Sequence, residues 1–185
     1  ALRAKFGAIS VGGIDFDSVA QHASVKTARI GASTLASGKD KVPLAAVGPI
    51  ALDGAEFWVG TRRGSVRSLA LASAVLVARD QAKPLATLRE FAAQGIAFDL
   101  ESKQSSAKGL RVADLMLAVE RDAGGELDLL RLFAGRGSDK PGGAKPAKWQ
   151  ASIGAVEIGS ASARYTDRTA KTPLALAADG LSGSF

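Results

Sequence analysis

The stretch 66-VRSLAL-71 has two counterparts in the chain. Forty-one residues earlier stands 25-VKTARI-30, and 87 residues later stands 153-IGAVEI-158. All three carry aliphatic or small apolar residues at the first, fourth and sixth places. Asp80 falls on Asp167 at the longer offset, and each is followed by a Pro-Leu pair, Pro84-Leu85 and Pro173-Leu174, the second arriving two residues late. Pro43-Leu44 falls on Pro84-Leu85 at the shorter offset, with Asp40 one residue late. A further apolar run follows every Pro-Leu, at 50–59, 88–98 and 174–185. The repeated unit therefore reads strand, Asp-containing turn, Pro-Leu, strand. Asp accepts neighbouring N–H groups and starts turns. Pro at a strand's first residue gives up no ladder bond.

Along the chain the dominant period is two. Leu69, Leu71, Val75 and Val77 share one parity, as do Val156 and Ile158, and Leu174 and Leu176. Leu110 and Val112 share a parity that Leu115, Leu117 and Val119 abandon, which predicts a bulge between them. The spacing of these runs predicts an all-β, mainly antiparallel fold: a repetitive meander with at most one or two short helices. Residues 83–94 could form a short helix, but their repeat partners read as strand, and strand is the expectation. Residues 126–134 fit a helix or a strand equally. The run 135-GRGSDKPGGAKPAK-148 is a Gly/Pro/Lys linker. It divides a repetitive sheet segment, 1–134, from the start of a further β repeat, 149–185. The ends, 1-ALRAK-5 and 181-LSGSF-185, suggest an excerpt of a longer chain.

Composition narrows the chemistry. Apolar residues at 46% and charged residues at 23% fit a folded protein rather than a disordered one. The absence of cysteine excludes disulfides and thiolate catalysis. His22 is the one histidine, lies in a polar stretch, and is expected to be exposed. The net charge of +6 would suit an anionic partner, but its cations are scattered and aromatics are few, so no nucleic-acid partner is expected. Gly38-Lys39 precedes Asp rather than Ser or Thr, and the Gly-rich run at 135 lacks a P-loop lysine, so phosphate cradling is not indicated. Asp15 and Asp17 could form half of a Ca²⁺ site or an acid pair, but such spacing more often marks a solvated face. No catalytic residue, metal site or cofactor is expected. No apolar run is long enough to span a membrane as a helix.

The segment 149-WQASIGAVEIGSASARYTD-167 resembles an uncharacterised branch of the AsmA-like proteins of Gram-negative bacteria. Trp149, Val156, Ile158, Asp167, Pro173 and Leu174 match that pattern in order. The match is best over 149–185, fainter over 25–98, and broken at 99–134. The resemblance implies an extended, curled sheet or groove, in a non-enzymatic segment of a periplasmic protein whose parent chain is anchored in the inner membrane. It further implies a role in lipid transport or envelope integrity.

A sheet with one apolar face must cover it with a second layer or with acyl chains. If lipid is the cover, the lining would be Leu69, Leu71, Val75, Val77, Val156, Ile158, Leu174 and Leu176. Partners would then be phospholipid or another acyl-chain lipid. The alternative is a structural or protein-binding β module that joins other envelope proteins through its edges.

Overall fold

The computed structural model describes residues 2–37, 43–77, 84–128, 149–170 and 172–185. The expected linker at 135–148, Asp40, Asp80 and most of 126–134 lie outside the described residues. Every named element is a strand. The first half holds β1 (Leu2–Lys5), β2 (Ile9–Asp17), β3 (His22–Ile30), β4 (Ser33–Ser37), β5 (Pro43–Val47), β6 (Ile50–Trp58) and β7 (Arg63–Leu71). The second holds β8 (Ala74–Val77), β9 (Pro84–Asp99), β10 (Gln104–Ala107), β11 (Gly109–Arg121), β12 (Gln150–Ile153), β13 (Val156–Asp167) and β14 (Leu174–Ser184). Residues 83–94 thus fall largely within a strand, as their repeat partners do.

These elements build one sheet of long, interrupted strands lying side by side. In order across the sheet they are β1 with β2, β4 with β3, β5 with β6, β8 with β7, then β9, then β10 with β11, then β12 with β13, then β14. Neighbours are antiparallel except where β10 and β11 meet β12 and β13, which run parallel to them. A parallel step needs a long return connection, and residues 122–149 supply it.

A 41-residue period governs the first three units. Gly13, Gly54 and Gly95 all adopt left-handed φ, at 65°, 63° and 58°. The turn residues Gln21, Arg62 and Lys103 do the same, at 49°, 54° and 56°. A left-handed residue interrupts strict alternation. Apolar parity changes at each glycine, from Ile9 and Val11 to Ile14 and Phe16 in β2, so these side chains keep to one face. Asp114, φ 49°, stands where Leu110 and Val112 give way to Leu115 and Leu117; the pairing with β9 and β13 keeps its register across it, so the parity change comes with a left-handed residue and not with the inserted residue expected of a bulge.

The expected curl into a groove is overturned. The strand order is open, with β1 and β2 at one edge and β14 at the other, and the sheet is neither closed nor strongly curled. Rolling a sheet up requires a steady stagger of register between tilted strands. Here the pairing runs straight: Ile9, Ile30, Ile50, Leu71, Phe91, Val112 and Ile158 stand opposite one another in turn. The resemblance suggested curvature, but the repeat itself encodes none.

Candidate functional site: an uncovered apolar face

Directly opposed residues in neighbouring strands share a face. The row from Ile9 to Ile158 is therefore one continuous apolar line. Two residues along runs a second: Val11, Ala28, Leu52, Leu69, Ala93, Leu110 and Val156. Between them, on the opposite face, lies a polar or small row that includes Ser10, Arg29, Ala51, Ala70, Arg111 and Glu157. Arg29 reaches Asp53 at 4.0 Å and Arg111 reaches Glu157 at 3.8 Å on that side. Both pairs are largely exposed and contribute little to stability.

Among the described residues nothing covers the apolar face. Every pair of elements in substantial contact is a pair of hydrogen-bonded neighbours within the sheet. Only Leu85, Ala93 and Ala113 among the hydrophobic residues described are buried, and no large side chain is fully enclosed. The chain exposes 13038 Å², where a compact globule of its 18.9 kDa mass exposes about 8,000 Å². The sheet is a single layer whose aliphatic side chains are half-wet.

The eight residues expected to line a lipid surface divide into two groups. Leu69 and Val156 share one row, and Leu71 and Ile158 share the other. Val75 and Val77 lie in β8, beyond the interruption at Ala72 and Ser73. There the row Leu35, Ala45, Leu76, Ala86 and Leu117 carries the long aliphatics, and Val75 sits in the adjacent row with Ala46, Thr87 and Met116. Adjacent rows face opposite ways. Leu174 and Leu176 belong to edge strand β14, opposite Asp167 and Tyr165, and are 55% and 58% exposed.

Sequence reasoning missed a further part of the repeat. Strands β2, β6 and β9 carry 13-GIDFD-17, 54-GAEFW-58 and 95-GIAFD-99, each 41 residues apart. Their glycines mark the parity switch. Phe57 and Phe98 lie two strands apart across Gly64, and their rings stack at 6.3 Å. A Cβ on Gly64 would meet the Phe98 ring at 2.3 Å, so the glycine makes that contact possible.

The polar candidates have structural duties. Asp17 accepts N–H bonds from Val19 and Ala20 at 2.8 and 2.9 Å and so forms its turn. Asp99 does the same for Glu101 and Ser102, both at 2.9 Å, and also takes a bond from Arg63. The Ser102 N–H, then the Arg63 guanidinium and the Glu101 N–H, hold its carboxyl below the usual range. Asp167 accepts the hydroxyl and N–H of Thr169, and these, with Tyr165 and Arg121, lower its pKa too. Asp15 is exposed opposite Ser24. His22 is not the exposed residue expected. It is half-buried, stacked on Trp58 with ring centroids 4.9 Å apart. Among the described residues no cluster of three or more His, Cys, Asp or Glu could hold a metal ion. Nor is any helix there long and apolar enough to cross a membrane.

No protein family, curated protein or solved structure matches the chain. The resemblance to the AsmA-like proteins rests on the residues quoted for it.

Proposed function

We propose that this chain is a non-catalytic segment of a periplasmic, AsmA-like envelope protein and that it handles lipid by laying acyl chains along its apolar face. The observation that supports this reading is the pair of unbroken apolar rows on a face with no protein layer over it among the described residues. Six strand intervals at about 4.8 Å give rows roughly 29 Å long, longer than one acyl chain. A methylene removed from water contributes about 0.8 kcal/mol, and a chain covered on one flank gains about half of that. The surface is shallow and lacks directional polar groups, which suits contact with many chains rather than capture of one headgroup. The resemblance adds the setting, an inner-membrane-tethered protein working between two membranes.

Two measurements test this. Native mass spectrometry of protein purified without detergent should show bound phospholipid. A photoactivatable acyl chain should label the rows through Ile50 and Leu52, and spare Ala51 and Ala70. Protein free of lipid, or labelling shared equally by both faces, would overturn the reading. The open strand edges favour a second role, as a module that joins other proteins through main-chain pairing. In-cell crosslinking separates the two, because a scaffold yields protein adducts.

A further inference from the structure

We infer that the free edge of β2 accepts one more antiparallel strand, and that the repeat dictates its sequence. β2 corresponds residue for residue to β6 and to Phe91–Asp99 of β9, at 41-residue intervals. Both counterparts have a neighbour on the flank where β2 has none among the described residues: β3 for β6 and β7 for β9.

Those two neighbours are alike. Ile30 and Leu71 stand opposite Ile50 and Phe91, and Val25 and Val66 stand opposite Ala55 and Ile96. Small residues, Ala23 and Gly64, stand opposite Phe57 and Phe98. Lys26 and Arg67 fall level with the left-handed glycines. The two strands read 23-ASVKTARI-30 and 64-GSVRSLAL-71: small, Ser, Val, basic, hydroxyl, apolar, any, aliphatic.

The unfilled flank shows in the side chains. Ile9, Ile14 and Phe16 are 65%, 71% and 63% exposed, whereas Ile50, Phe57, Phe91, Ile96 and Phe98 are half-buried. A strand of the same pattern would place an aliphatic beside Ile9, Val beside Ile14 and a small residue beside Phe16. The occupant is polypeptide, because the edge presents main-chain donors and acceptors that an acyl chain cannot use. Its identity is a further copy of the strand that β3 and β7 represent in this repeat.

The test uses the whole chain and a synthetic peptide with the sequence of β7, 63-RGSVRSLAL-71, read by amide hydrogen exchange. The peptide should slow exchange across Ile9–Asp17 and leave β14 unchanged, and a scrambled peptide should do neither. Ile14→Glu, at an exposed position, should weaken peptide binding by roughly fivefold or more without altering the melting curve. Equal protection by the scrambled peptide overturns the proposal, as does no protection. So does a dimer, seen in sedimentation, whose β2 edges pair with each other and exclude the peptide. Acyl-chain labelling of the apolar face is independent of this edge, so the two proposals fail separately.

Discussion

The units over 2–121 and the piece over 150–185 belong to one sheet but are held differently. In the first, β3, β6, β7 and β9 pair antiparallel without a register shift, and each apolar row passes through interior strands flanked on both sides. In the second, β12 and β13 join in parallel, β13 and β14 slip register between Ile158 and Ala163, and nearly all of β14 is exposed. The same kind of sequence therefore yields a half-buried strand or a wet one, according to its number of neighbours. A single-layer sheet draws its stability from lateral packing, so position across the sheet outweighs residue type.

The sharpest way to break this comparison is to place a charge on each side of it. Leu69→Asp, in the centre of the shared row, should cost about 2–4 kcal/mol in urea melts. Leu174→Asp, on the outer strand, should stay within about 0.5 kcal/mol. Equal losses would mean that the two regions are covered alike.

Backbone strain gives the next effect. Gly54→Val forces a branched residue into left-handed φ beside Arg67 and should cost about 2–3 kcal/mol. Gly180→Ala, at φ 67° with open space around it, should cost about 1 kcal/mol. Hydrogen exchange sharpens the contrast without mutation, since amides of β7 and β9 should exchange roughly a hundredfold more slowly than those of β14.

Acid titration gives the smallest effect. Asp99 and Asp167 both have lowered folded pKa values. Their contribution is complete above the unfolded carboxylate range, about 3.9, and is lost as pH falls through the lower folded values. Carboxyl NMR shifts should show both midpoints below that of an unstructured Asp. Loosening on protonation should be confined to residues 99–104 and 167–170. A midpoint at or above the ordinary value for either would remove its assigned turn contacts.

Composition and spacing alone determined that the chain is β-structured, repetitive and mostly antiparallel. Period-two alternation is local chemistry, and a turn former such as Asp167 acts on residues beside it. The parity change between Val112 and Leu115 was legible for the same reason, because it needs no distant partner. The pattern at Gly13, Gly54 and Gly95 was also written in the chain, but its meaning depends on φ. Tertiary structure alone decided that β11 and β13 run parallel and that Leu69 shares a row with Val156 while Val75 leaves it. It also decided that the sheet stays open. Register between strands far apart in sequence is set by which neighbours meet, and a run of alternating residues does not name its neighbour.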